Sequence, residues 1–334
     1  MIGRLAAALA LALVATSCAA ADGSSATTSD VLGADELAVV VASFDLAVGD
    51  DERLLLGVFT PDRQVVGGGE VELTLTAPDG RTVPDEGAMI TAGFLPVPGT
   101  GTPDDLAESV LLGRPASHDH AAGEATAPHD HGDPDAAGVY TTDLVLDQAG
   151  LWEVTVNADV EGTRRTGSTV FEVAETHQVP MAGEPAPRVA TATLDSDLPA
   201  TAIDSRAGMM QGEIPDEALH RTDLADALAA GRPAVVVFST PTYCTSRFCG
   251  PITETIEELA AIHDDAVVFV HVEIWRDIAT QRMNAAVAPW IVTDDGGNEP
   301  WVFAIGADGT IAARWDNVLD VVELTTVLDR LAED

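Results

Sequence analysis

The stretch Ala234-Val235-Val236-Val237-Phe238-Ser239-Thr240-Pro241-Thr242-Tyr243-Cys244-Thr245-Ser246-Arg247-Phe248-Cys249-Gly250-Pro251 decides how this chain is read. Its first five residues form an unbroken apolar run. That is the pattern of a strand buried on both faces, which implies helices above and below a sheet with parallel strands. Beyond Pro251, the residues Ile252, Ile256, Leu259 and Ile262 keep helical spacing. Cys249 therefore opens a helix, with Pro251 in its first turn, where a proline costs no backbone hydrogen bond.

The surroundings extend the pattern. Upstream, Thr222 is expected to cap a helix that carries Leu224, Ala227 and Leu228 and stops at Gly231. Downstream, a second buried strand is expected over 267–272. Strands over 301–305 and 311–315 then flank Ala307-Asp308-Gly309, a hairpin signal. A last helix is expected from about Asp320 to Leu331.

Helix, strand, cysteine loop, helix, strand, hairpin, helix: this order resembles the α/β thioredoxin-like fold over residues 213–334. Cys249-Gly250-Pro251 is similar to the first three residues of the thioredoxin Cys-Gly-Pro-Cys motif. Glu299-Pro300-Trp301, just before a strand, looks like the family's cis-proline, and Asp308-Gly309-Thr310 matches its hairpin turn. The mature chain as a whole resembles secreted thioredoxin-domain proteins of high-GC Gram-positive bacteria. Those also join a sandwich-like domain to a Ser/Thr-Pro…Cys-x-Ser-x-x-Cys-Gly-Pro loop. The departure is at Ile252, which stands where thioredoxin has its second cysteine, so that Cys244 lies upstream instead.

The resemblance implies thiol–disulfide exchange, with Cys249 attacking, Cys244 resolving and Pro300 laying an extended edge before the substrate. A helix N-terminus favours a thiolate through its dipole and free N–H groups, and Arg247 adds a nearby charge. The residues also permit a disulfide that only staples the loop, although so short a loop gains little stability from closure. Ser246-x-x-Cys249 has a loose similarity to a peroxidase pattern, but Gly250-Pro251 points back to thioredoxin.

The N-terminus gives an address. Residues 1–20 read as an export signal: Arg4, an apolar run from Leu5 to Val14, then small residues ending at Cys18. The run is shorter than the ~20 residues needed to span a bilayer. Ala15-Thr16-Ser17-Cys18 resembles a lipoprotein signal in which Cys18 is acylated, with residues 21–30 as a flexible tether. The chain is then expected on the extracytoplasmic face of the cell membrane, held by a lipid anchor, or otherwise secreted. Outside the cytoplasm, paired cysteines are normally oxidised. With Cys18 set aside, only Cys244 and Cys249 remain of the three cysteines. The expected partners are exported thiol or disulfide proteins, or a membrane redox protein.

Composition excludes one class of partner. The 55 acidic residues against 16 arginines, with no lysine, give a formal charge of -39, which repels nucleic acid.

Residues 31–175 alternate with period two. Val71, Leu73 and Leu75 interleave with polar residues, as do Trp152, Val154 and Val156, and Pro78-Asp79-Gly80 and Glu161-Gly162 mark turns. The expectation is an all-β, Ig-like sandwich without a catalytic constellation of its own. Near 96–137 an insertion carries His118-Asp119-His120 and His129-Asp130-His131. Its imidazoles, His118, His120, His129 and His131, suit Cu or Zn, although exchange itself requires no cofactor. A copper-handling alternative would combine the cysteine pair with His271 as third ligand, or with this insertion. Residues 176–212 show no sustained periodicity and read as a linker or an extended crossing segment.

Overall fold

Alternating apolar residues bury one face of a strand, and that rule builds the first sheet of this computed structural model, which describes residues 36–84, 88–98, 138–244, 248–263, 266–294 and 296–333. The strands are β1 (Ala38–Val41), β2 (Gly49–Phe59), β3 (Glu70–Thr76), β4 (Thr82–Val83), β5 (Ile90–Pro96), β6 (Gly138–Leu146), β7 (Gly150–Val160) and β8 (Thr163–Val173). They form one antiparallel sheet in the order β1-β2-β6-β5-β3-β7-β8, with β4 beside β3. The β7–β8 hairpin turns at Glu161 and Gly162, both at positive φ, as a tight two-residue loop demands.

This corrects the expected sandwich. The residues are all-β, but the sheet curls on itself instead of facing a second one. Glu36 bridges to Thr166 in parallel, and the Leu37 amide donates to the Thr166 carbonyl at 2.9 Å, so the two ends of the sheet meet in a near-barrel. Leu54, Leu56, Leu73, Leu75, Trp152 and Val154 fill the inside. Gly167 on β8 permits the closure: a Cβ there would lie 2.2 Å from the Leu37 carbonyl oxygen.

The second sheet follows the order read above. After α1 (Leu224–Ala229) come β9 (Ala234–Ser239), α2 (Cys249–His263) and β10 (Val268–Glu273). Short pieces follow: β11 (Trp275–Asp277), β12 (Arg282–Met283), α3 (Ala288–Ile291), β13 (Val292–Thr293) and β14 (Gly296–Gly297). The chain ends with β15 (Trp301–Ile305), β16 (Ile311–Asp316) and α4 (Val321–Glu333). The sheet order is β10-β9-β15-β16, with β10 parallel to β9 and β15 antiparallel to it. This arrangement is thioredoxin-like. Every residue of β9 is buried. Val235 and Val237 pack with Ile252 and Ile256 of α2 and Leu324 and Leu328 of α4. Val236 and Phe238 pack on the other side with Leu224, Trp290 and Phe303. The cap of α1 is Asp223, one residue after Thr222; its carboxylate accepts from the Ala225 and Asp226 amides.

The segment 176–212 is no free linker. Gly183 donates to the Ile311 carbonyl, Ile311 to that of Glu184 and Ala186 to that of Gly309, which fastens it along the start of β16. Val179 and Ala186 enter the core beside β15.

The near-barrel and the second sheet also touch through charge. The Asp45 carboxylate lies 2.8 Å from Arg314 and 3.1 Å from His177, whose other ring nitrogen lies 2.9 Å from Glu52. Arg314 sits over the Trp301 ring, which also meets Phe44. Burial disfavours a charged His177, and Arg314 opposes it, but bonds to Asp45 and Glu52 prevail and push its pKa up to about 9. Burial likewise works against ionised Asp45, yet His177 and Arg314 hold it down at about 2.

Two outcomes follow from these contacts. Gly167→Ala should lower stability to urea by about 1–3 kcal/mol, because the new methyl meets rigid backbone. The His177 contribution is complete below its ordinary pKa of 6.5 and is lost as pH climbs towards about 9. The thermal midpoint should therefore fall over that interval, by the equivalent of about 1–2 kcal/mol after solvent screening. His177→Gln should flatten the fall.

Candidate functional site

Strand β9 ends in Ser239 and Thr240, both buried, and the chain then turns over the carboxyl edge of the sheet, with the Tyr243 and Cys244 amides bonded to the Thr240 carbonyl. Cys249 opens α2 as expected and is joined to Cys244, with the two Cα atoms 6.0 Å apart. Residues 245–247, Arg247 among them, lie outside the described residues, as do Cys18 and the four histidines His118, His120, His129 and His131.

The two cysteines differ in exposure. Cys249 is completely buried (0% exposed), while Cys244 is half-buried and follows Tyr243, which is 48% exposed. Thr253, one turn into α2, donates to the Cys249 carbonyl at 2.7 Å and shares a bond with Ser239. Ile252, in the place of thioredoxin's second cysteine, is buried in the α2 core.

The Glu299–Pro300 peptide is cis, as the resemblance implied. Pro300 is buried, and its carbonyl accepts from the Asn317 amide at 2.9 Å. The residue before it carries a chemistry that the sequence reading did not assign. A carboxylate oxygen of Glu299 and the two cysteine sulfurs lie within 4.8 Å of one another, and Oε2 of Glu299 is buried without a hydrogen-bond partner among the described residues. Burial, followed by the charge of Glu273, raises the Glu299 pKa to about 7. Glu273 is itself 2% exposed and accepts from Thr240 Oγ1 at 2.7 Å and the Ser205 amide at 2.8 Å. Burial pushes its carboxyl upward, against the charge of His271 and these bonds.

His271 does not join the cysteines as a third ligand. It turns towards Asp204 and His220, all three fully buried. Its Nε2 lies 3.1 Å from the Ser239 carbonyl. Burial opposes ionisation of Asp204, but bonds from His220, His271 and Arg206 hold it far below the usual carboxylate range. The Glu299 group with its two sulfurs and the Asp204–His220–His271 group are the clusters, among the described residues, compact enough to hold a metal ion. A disulfide offers no thiolate, so the oxidised pair is the poorer ligand set.

Beside Tyr243 opens a groove of about 260 Å³, lined by Thr201, Ser205, Glu273, Trp275, Arg276 and Arg282 among others. Its two guanidinium groups share the lining with the carboxyl groups of Glu273 and Asp277.

No family model matches the chain, and no curated protein matches it. Among solved structures, the chain is similar to a crystal structure of a thiol:disulfide interchange protein, thioredoxin family protein, from Chlorobium tepidum TLS, at 14% identity and a TM-score of 0.29. The match covers 46% of this chain and 99% of that one.

Access to the two sulfurs is directly measurable. After reduction, a small alkylating reagent should label Cys244 at least about tenfold faster than Cys249 under native conditions, because the buried sulfur needs local opening first. Peptide mass mapping reads both rates; equal rates would contradict the burial difference.

Proposed function

We propose that this chain exchanges disulfides with exported proteins, and that the cysteine roles are the reverse of those the thioredoxin resemblance implies. The observation that carries the reading is an oxidised pair with one partly exposed cysteine, beside a groove and a buried carboxyl whose pKa is about 7. In the reducing direction, the Cys244 thiolate attacks one sulfur of a partner disulfide. The partner's S–S bond breaks, its first thiolate leaves and a mixed disulfide forms. Cys249 then attacks the Cys244 sulfur and the second partner thiolate leaves. The partner gains two electrons and the pair is oxidised. The oxidising direction runs the same steps backwards, with Cys249 leaving first; at a helix N-terminus it is a stabilised thiolate.

Glu299 is suited to move the protons. Ionised, it accepts from a thiol; protonated, it returns the proton to a departing thiolate. In the same proposal Cys18 carries a lipid anchor, which would keep the exchange at the membrane surface. Among the described residues no helix is long and apolar enough to cross a membrane.

Reduction of insulin or of a disulfide peptide tests the reading. Cys244→Ser should abolish turnover, whereas Cys249→Ser should trap the mixed disulfide on Cys244. Turnover by Cys244→Ser equal to that of the unaltered protein would overturn it. Exchange should speed up as pH passes about 7, the direction set by ionising Glu299. Glu299→Gln should remove that rise and lower the rate above it by roughly 10- to 100-fold.

A further inference from the structure

We propose that Asp204, His220 and His271 form a divalent-metal site of the zinc type, in the core beneath the cysteine loop. Asp204 Oδ2 lies 3.4 Å from His220 Nε2 and 3.4 Å from His271 Nδ1, and the two ring nitrogens are 3.4 Å apart. The three donor atoms thus form an equilateral triangle. In a tetrahedral site with bonds of about 2.0–2.1 Å, neighbouring ligands stand about 3.3–3.4 Å apart, which is the edge of that tetrahedron. Hydrogen bonds between such groups would be shorter, at about 2.7–3.0 Å. The three contacts are long for hydrogen bonds, and the three atoms surround a common centre.

The surroundings fit the same ion. His271 Nε2 faces the Ser239 carbonyl at 3.1 Å and donates to it; in the neutral ring this leaves the lone pair on Nδ1, the atom in the triangle, and a bound ion would take the place of the proton there. A backbone carbonyl on the far nitrogen is the usual way a ligand imidazole is oriented. His220 Nδ1 is buried with no hydrogen-bond partner among the described residues, so the ring's polar contacts all lie on the Nε2 side. Asp204 is fixed by Arg206, whose amide donates to Oδ1 and whose guanidinium reaches Oδ2 at 2.7 Å. Arg206 also pairs with Asp216, and Glu273 sits two residues beyond His271. Asp204 and Asp216 thus set two carboxylates against the one guanidinium of Arg206, a balance that suits a dication. Two imidazoles and one carboxylate are a zinc donor set, with one position left for a small fourth ligand such as water.

The three ligands come from separate parts of the chain. Asp204 caps a 3-10 turn (Ser205–Gly208), His220 ends another (Glu217–His220), and His271 lies within β10. An ion at their centre ties the segment before α1 to the sheet directly under Ser239, where the cysteine loop begins. This holds whether or not the cysteines turn over.

The test uses the full chain carrying Cys18→Ser, Cys244→Ser and Cys249→Ser, with His118, His120, His129 and His131 all changed to Ala, so that neither thiolates nor the His-rich insertion can bind. Zn²⁺ and Co²⁺ are the probes. The expected result is uptake of one equivalent, a thermal midpoint that rises with Zn²⁺ concentration, and the ligand-field bands of tetrahedral Co²⁺ without thiolate charge transfer. His220→Gln and Asp204→Asn in that background, checked for folding by circular dichroism, should weaken uptake by at least about 100-fold. Uptake that survives both changes overturns the proposal. So does a parent protein that takes up no ion and gains no thermal stability, since the triangle is then held by protons alone. The parent titration decides the matter even if the ligand variants fail to fold.

Discussion

Burial of β9 along its whole length, on both faces, is the constraint from which the rest of the second sheet follows. A strand with no wet face requires cover on two sides, and α2 with α4 on one and α1 with α3 on the other provide it. Its interior positions are then all committed to packing. Polar chemistry is displaced to the carboxyl edge, where Ser239, Thr240 and the cysteine loop emerge. Neighbouring β10 shows the same shift within one row of side chains. Val267 and Phe269 pack against α2, and the next two positions on that face are His271 and Glu273. Alternation turns an apolar row into a polar one just where the sheet meets the cysteine loop, as expected of open α/β sheets.

Most of the second sheet was legible because its signals are local and redundant. An apolar run, a helical repeat after Pro251 and a hairpin turn at Asp308-Gly309 each name an element, and their order leaves few topologies. The first sheet was legible only in its strands. Period-two alternation says that one face is buried, not whether it meets another sheet or its own far edge. Closure depends on Gly167 opposite Leu37, a contact between residues distant in sequence that no periodicity announces. The segment 176–212 stayed open between a linker and a crossing segment for a related reason. Its order comes from backbone pairing with β16 and from isolated residues such as Val179, neither of which makes a repeat.

The site divides the same way. Cys244, Cys249 and Pro300 are readable as motifs, and the structure brings them to one edge of the sheet. Their accessibility is not readable: the fold buries the cysteine that the sequence resemblance casts as the attacker. Glu299 was visible only as the neighbour of a proline, since a carboxylate in a loop looks solvated until its burial is known. Asp204 and His220 had no signal at all, because each stands alone in a polar stretch. His271 did leave a trace. A histidine followed two residues later by a glutamate, inside an otherwise apolar run, marks a face on which burial is tolerated for some purpose other than packing.

The pairing of β5 with β6 has a consequence for how this protein can change. Leu95 faces Val139 and Pro96 faces Gly138 in register, although the chain between them includes the long His-rich insertion. The entropy of closing a loop grows only logarithmically with its length, so a doubling adds about 0.6 kcal/mol. The hairpin base, once paired, is nearly indifferent to what it carries. This end of the near-barrel is thus a port at which evolution, or an engineer, can exchange one peptide for another while the strands below keep their partners.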